Sequence, residues 1–397
     1  MTTSDNWCAI VNSVRPGAEV VFAAGDYAQP CSIRVSGVSG TNILIRSESE
    51  DQRARFTYAE ATSNVIQVFG SYVTIRGFEF KPNSADVHSL RIMAKAKNVT
   101  VERNRFGGVG NVAVSANSGN TANLVIRDNV FLNLENTPVY IGCHDGSCSS
   151  TNLLFEQNYI NGVRASDPNS IGYGIEVKLN SWGVIRDNTI VNTKGPPIMV
   201  YGSSRDDSVS IIEGNYVEGS RYEGGIVIGG GPAIVRNNIA VNNGYGGISA
   251  QNYNGRNLQR KVWIVFNTLI KNGDSGINVQ GWGNGADNVI AYNAILPSST
   301  LPVLRPSNPL GSIVGNVACA ATCFVNANTA PYDLWPRSQS LLVDAAVGTN
   351  SAWIPVDDFM GERRGQLPDI GAMERGQSLN DHRVSGMSLR PSRSTGR

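Results

Sequence analysis

The sequence is poor in charge. Only 16% of its 397 residues are Asp, Glu, Lys or Arg, and the two signs nearly cancel to a formal net charge of +1. So thin a charge argues against long solvent-facing helices. It also leaves no bulk field to draw a nucleic acid, so an acidic ligand needs a local basic patch. Missing too is any run of the roughly 18 apolar residues that a membrane-spanning helix requires. The opening Met1-Thr-Thr-Ser-Asp-Asn6 lacks the basic start and apolar stretch of a leader peptide. Histidine is scarce, at three residues, and none sits at ligand spacing between two cysteine pairs, which disfavours a zinc site. Neither nucleic acid nor membrane is expected as a partner.

What is present points to short strands and tight turns. Glycine is abundant, at 43 residues, and Asn, Val and Ile recur throughout. The six cysteines fall into three sequence-near couples, Cys8 with Cys31, Cys143 with Cys148 and Cys319 with Cys323. An even count in this arrangement suggests disulfides and an oxidising, secreted or periplasmic setting, although six cysteines formally allow fifteen connectivities.

One motif returns nine times: alternating apolar residues, a polar pair, an asparagine, then an apolar residue two further on. The asparagines are Asn104, Asn129, Asn158, Asn188, Asn215, Asn238, Asn267, Asn293 and Asn316, at spacings of 23 to 30 residues. That period suits one coil of a parallel β-helix. The asparagine is expected in a tight turn, its side chain bonding backbone groups of neighbouring coils. A second apolar run follows in each coil, at 113–117, 138–142, 174–180, 197–202, 225–230, 247–252 and 276–281. Alternation sends Ile175, Val177, Ile198, Val200, Ile226, Ile228, Ile248, Ala250, Ile277 and Val279 inward, and it predicts that the residues between them face solvent on one flat wall.

The expected fold is all-β, a right-handed parallel β-helix forming a single domain over 1–376. Its parts are an N-terminal cap at 1–18 with a short helix over 7–15, coils over 19–317, and an irregular C-terminal cap over 318–376. In that last segment Pro331, Pro336, Pro355 and Pro368 interrupt pairing. Residues 377–397 lack apolar periodicity and are expected to be disordered.

Three stretches carry a family likeness. Val14-Arg-Pro-Gly-Ala-Glu-Val-Val-Phe-Ala-Ala-Gly-Asp-Tyr27 and Phe69-Gly-Ser-Tyr-Val-Thr-Ile-Arg-Gly-Phe-Glu-Phe80 resemble the opening of chondroitinase B and related alginate lyases, within the pectate-lyase-like β-helix superfamily. Asp358-Phe-Met-Gly-Glu-Arg-Arg-Gly-Gln-Leu-Pro-Asp-Ile-Gly-Ala-Met-Glu374 is similar to a closing motif of many β-helix repeat proteins. The resemblance implies a polysaccharide lyase whose base is a wall lysine, matched here by Lys178. It also implies an Arg-His-Gly motif one coil later and bound calcium. Val200-Tyr201-Gly202 stands in place of that motif, and the calcium carboxylates have no aligned counterparts.

A lyase acting on a uronate removes the C5 proton, neutralises the adjacent carboxylate and protonates the departing oxygen. The wall offers Lys178 as base, Tyr201 as acid, Glu176 beside the lysine, and His144, in the small loop between Cys143 and Cys148, as a further proton carrier. Arg205 can hold a substrate carboxylate. Tyr140, Asn180, Trp182, Gln251, Asn252, Asn278, Gln280 and Trp282 supply stacking and hydrogen-bonding groups for sugar. The expected partner is an acidic polysaccharide bound by a monomer, with no cofactor required and calcium the one candidate. Three other readings stay open: hydrolysis by carboxylates drawn from Glu176, Asp206, Asp207 and Glu223, C5 epimerisation, and a glycan-binding or tailspike-like shaft without catalysis.

Overall fold

A chain that turns a sharp corner between two sheets needs a residue with positive φ, and one stands immediately before each repeated asparagine. Arg103, Asp128, Gln157, Asp187, Asn237, Phe266 and Tyr292 adopt φ between 53° and 57°, and Gly214 and Gly315 adopt 64°. For a non-glycine residue that conformation costs about 1–2 kcal/mol. The asparagine that follows offsets the cost with hydrogen bonds from its side chain.

The computed structural model describes residues 1–58, 64–84, 87–108, 110–282, 287–298, 304–306, 311–348 and 350–375. The tail expected to be disordered, 377–397, lies outside the described residues. The chain is an all-β right-handed parallel β-helix and divides into two compact units. The first comprises Met1–Val184 and Asn192–Met199; the second comprises Ile185–Val191 and the chain from Val200 onward.

In the first unit each coil lays one strand on each of three parallel sheets. The first sheet runs through Glu19–Phe22, Ile43–Ser47, Val73–Arg76, Lys97–Glu102, Thr121–Arg127 and Leu153–Glu156. Short strands such as Arg105–Phe106 and Val130–Leu134 build the second. Leu90–Ile92, Val114–Ala116, Val139–Ile141 and Ile175–Val177 build the third. Inside, Phe80, Phe106 and Phe131 stack with ring centroids 4.8 Å apart, Phe106 and Phe131 two residues beyond Asn104 and Asn129.

The asparagine ladder closes the corner between the first two sheets. Asn129 Oδ1 accepts the Asn104 backbone N–H at 3.0 Å, while Asn129 Nδ2 donates to Val101 O at 2.9 Å and to Asn158 Oδ1 at 3.1 Å. All three asparagines are buried.

The second unit repeats the plan. Its first sheet contains Ser210–Glu213, Ala233–Arg236, Val262–Val265, Val289–Ala291 and Ser312–Val314, and its third contains Ile226–Ile228, Gly246–Gln251, Ser275–Gln280 and Leu304–Pro306. The ladder continues through Asn215, Asn238, Asn267, Asn293 and Asn316, each accepting the backbone N–H of the asparagine before it at 2.9–3.1 Å. A shorter ladder at another corner joins Asn243 to Asn272.

Both ends carry covers. The N-terminal helix spans Trp7–Val11 rather than 7–15, because the Asn12 side chain leaves the helix direction to bond Cys8 O, Ser32 O and the Arg34 N–H. Trp7 packs on Phe22 and Phe56, and a disulfide ties Cys8 to Cys31. The other two sequence-near couples, Cys143 with Cys148 and Cys319 with Cys323, are also bonded. At the far end the 358–374 motif folds into a buried polar latch. Asp358 accepts the N–H groups of Met360, Glu362 and Glu374, while Arg364 pairs with Glu374 at 3.1 Å and donates to Asn237 Oδ1 at 2.9 Å.

Removing one rung of the ladder leaves a buried carbonyl and a buried amide without partners. Asn129→Ala is therefore expected to cost about 2–4 kcal/mol, read as a lowered urea midpoint. The exposed Asn169→Ala serves as the control that leaves the midpoint in place.

Candidate functional site

On the third sheet of the first unit, the outward positions of successive coils fall in register. Arg91 lies opposite Ser115, Ser115 opposite Tyr140, and Tyr140 opposite Glu176, each step about 4.8 Å. Lys178, just beyond the strand Ile175–Val177, folds back over this row. Its Nζ lies 2.5 Å from Glu176 Oε1 and 4.9 Å from the centre of the Tyr140 ring.

The wall is not the solvent-facing surface that alternation predicted. Glu176 and Lys178 retain only 1% and 3% of their accessible surface. In the second unit Tyr201, Val227, Ser249 and Asn278, all at outward positions, are buried as well. Alternation reports which face of a strand a side chain takes, but not what loop lies over that face. The disulfide-closed loop at 142–148 runs beside Lys178 and the turn that follows it. A Cβ placed on Gly142, which adopts φ +92°, would meet Lys178 Cβ at 3.0 Å and Ser181 Oγ at 2.5 Å. Asn180 Nδ2 donates to Gly146 O at 3.5 Å on the same turn. His144 sits at the exposed crest of this loop. Trp182 is half-buried, its backbone tied to Ser150 and Leu153.

Three residues of this row escaped the sequence reading: His88, Arg91 and Ser115. His88 Nδ1 lies 2.8 Å from Ser115 Oγ, and the imidazole is pushed down to about 4 by burial and, secondarily, by the positive charge of Arg91. The same alternation could have found Arg91, because Leu90 and Ile92 point inward on either side of it one coil before Val114–Ala116.

The second unit places its candidates differently. Tyr201 packs edge-on against Tyr253 at 4.7 Å between ring centres. Arg205 is exposed and held by Asp207 at 2.8 Å. Asp206 binds both Arg260 at 2.6 Å and Lys261 at 3.0 Å. Cationic partners hold both Asp206 and Asp207 below the usual carboxylate range, led by the hydrogen bonds from Lys261 and Arg205 respectively, so neither is set to donate a proton near neutral pH. Gln251, Asn278 and Gln280 line a slot of about 20 Å³ with Glu223, Tyr245 and Ser249. Gln280 Nε2 donates to the Tyr245 hydroxyl at 3.3 Å. Asn252 pairs with Asn257 beyond this slot. Trp282, expected on the wall, is instead wholly buried and has no face open to a sugar.

Calcium is the metal that the family likeness implies. Among the described residues no three His, Cys, Asp or Glu side chains come together to hold a metal ion, and no chemical step is assigned to one. No helix among the described residues is long and apolar enough to cross a membrane.

With the coils and the wall described, the class of fold is a right-handed parallel β-helix, and the family model for a right-handed β-helix region matches residues 168–300. The A-module of the Azotobacter vinelandii mannuronan C-5 epimerase aligns with a TM-score of 0.55 and 14% identity, over 77% of this chain and 87% of its own. A polysaccharide lyase of family PL6 from Pseudopedobacter saltans aligns at 0.52 and 13%, over 86% and 96%. An alginate lyase from Paenibacillus sp. str. FPU-7 aligns at 0.51 and 16%, over 79% and 96%. At such identities the likeness is one of fold, and fold alone does not fix chemistry. No curated protein matches the chain.

His88 generates a test in acid. Its proton is bound more weakly in the folded chain, at about 4, than at the usual 6.5 of an unfolded histidine. The unfolded state therefore takes up the proton first as pH falls, and stability present above 6.5 is lost progressively down to 4. The expected loss is about 1–3 kcal/mol, measured as urea midpoints across this range, and His88→Gln should flatten that part of the profile.

Proposed function

We propose that the protein is a polysaccharide lyase that cuts a uronate-containing glycan by β-elimination at the third-sheet wall of its first unit. One observation carries the reading: a row of Arg91, Ser115, Tyr140 and Glu176 with Lys178 folded over it. This row gathers a cation, a phenol, a carboxylate and an amine within four successive coils. Two buried charges that only paired with each other would be weak stabilisers, because desolvation cancels most of the attraction.

In the proposed reaction, Arg91 binds the uronate carboxylate and stabilises the charge that develops beside it. The Lys178 ammonium passes a proton to Glu176 across their short contact, and the freed amine removes the C5 proton. Electrons of the C5–H bond form the C4=C5 double bond, the C4–O bond breaks, and the Tyr140 hydroxyl protonates the departing oxygen. Tyr140 takes the acid role because its ring lies under Lys178, whereas the sequence reading gave that role to Tyr201. The substrate displaces the loop at 142–148 to reach the amine. Structural neighbours named as alginate and PL6 polysaccharide lyases support a polysaccharide substrate. Three disulfides favour a secreted or periplasmic site of action. The tethering of Asp206 and Asp207 to cations speaks against hydrolysis by that pair.

The test incubates the protein with alginate, polygalacturonate, chondroitin and neutral glucans, following ultraviolet absorbance of the unsaturated product and new reducing ends. Absorbance should grow with one acidic polymer, fall at least 100-fold in Lys178→Ala and Tyr140→Phe, and survive in His144→Ala. Loss in Tyr201→Phe with full activity in Tyr140→Phe would return the acid role to Tyr201. Full activity of Lys178→Ala would refute the reading. So would reducing ends without absorbance, or inversion at C5 without chain cleavage.

A further inference from the structure

The outer face of the first sheet in the second unit holds a cleft with no part in the chemistry above. Its floor is a row of outward side chains in register, Ile234, Trp263 and Val289, and Trp353 of the short turn Ser351–Trp353 forms one side. The volume is about 470 Å³, within the roughly 300–1,000 Å³ of small-molecule sites. Both indoles are half-buried and pack against the core of this unit. Trp263 is further fixed by its Nε1 donating to Asp287 O at 3.2 Å. Asn350 holds the turn of Trp353 by accepting the Ala352 N–H at 3.1 Å.

The rim is polar and of mixed sign. Asp206, anchored by Arg260 and Lys261, and Asp287 supply carboxylates, and among the described residues of the lining Lys261 supplies a cation. With Arg260 counted beside Lys261, the two carboxylates and two cations of this rim balance, so a polyuronate meets no net positive charge there. Carboxylates accept hydroxyl hydrogens, an ammonium donates to hydroxyl or ring oxygens, and indole faces cover the C–H faces of a pyranose.

We propose that this cleft is a carbohydrate-binding site for a neutral pyranose oligosaccharide, held between Trp263 and Trp353 and separate from the catalytic wall. Concavity sets it apart from the flat, larger surfaces through which protein copies associate. The site is independent of the lyase reading: it can exist on an enzyme of another specificity or on a protein that only binds.

The test titrates the full chain with cellohexaose, mannohexaose and xylohexaose, and with an alginate hexasaccharide for comparison, reading intrinsic tryptophan fluorescence and calorimetric heat. At least one neutral hexasaccharide should bind saturably and at least tenfold more tightly than the acidic one. Trp353→Ala and Trp263→Ala should each weaken that binding tenfold or more, with Trp263→Phe retaining most of it. Trp353 lies in a surface turn, so a thermal melt matching the parent separates loss of binding from loss of fold. Lys178→Ala should bind as the parent does, which keeps failure of this site distinct from failure of the catalytic proposal. Three results overturn the inference: no neutral hexasaccharide binds, binding is unaffected by Trp353→Ala, or the alginate hexasaccharide is the preferred ligand of the same tryptophans. Concentration-dependent self-association abolished by Trp353→Ala, or occupancy of the cleft relieved by truncation after Arg375, would overturn it equally by assigning the cleft to another occupant.

Discussion

Everything in this fold hangs on one hydrogen-bonding arrangement, the asparagine amide that follows each left-handed corner residue. The oxygen takes a backbone N–H from the coil before, and the nitrogen fills a carbonyl that the corner would otherwise strand in the core. Buried backbone groups left without partners cost more than a typical hydrogen bond contributes, so a corner without the amide would open to water. Because neighbouring amides also bond each other, the ladder sets the register of adjacent coils as well as the shape of each. Phenylalanine stacks in the first unit and aliphatic columns in the second then pack against corners already aligned.

The repeat made the corners legible. Asn104, Asn129 and Asn158 are visible as a period that implies coils, and alternation in the second apolar run implies inward columns such as Ile175 and Val177; the third sheet is seen only in the structure. What the letters could not convey was anything that depends on a loop. Glu176 and Lys178 read as outward, which they are, and as solvated, which they are not; a disulfide-closed loop runs beside Lys178 and the turn that follows it. The N-terminal helix ended early for a comparable reason: the side chain of Asn12 finds better partners on the first coil than along the helix. Likewise the 358–374 stretch announced a closing motif, yet its working parts, the Arg364–Glu374 pair and the triple acceptor Asp358, emerge only when the segment folds over Asn237. Tyr140 and Lys178 were both named from the sequence, and their stacking relation was not.

Burial changes the character of the Lys178 and Glu176 pair. On an exposed wall such a pair would be a minor surface contact, whereas in an enclosed pocket each charge depends on the other and on the phenol beneath. Removing either partner takes away the opposite charge nearest the other, while a proton moving between them cancels both charges without moving a heavy atom. The enclosure also keeps the amine from water, with 3% of Lys178 accessible. His88, beside Ser115, is disfavoured in its charged form by its own burial.

Spacing between ladder asparagines varies from 23 to 30 residues, yet the asparagines stay bonded from coil to coil. Much of that variation is accommodated in the connections between strands. A coil thus works as a socket with a standard fitting: length and composition can be exchanged in one connection while the rungs above and below stay in register. Lineages carrying this scaffold can recast what the wall grips one coil at a time, without renegotiating the core.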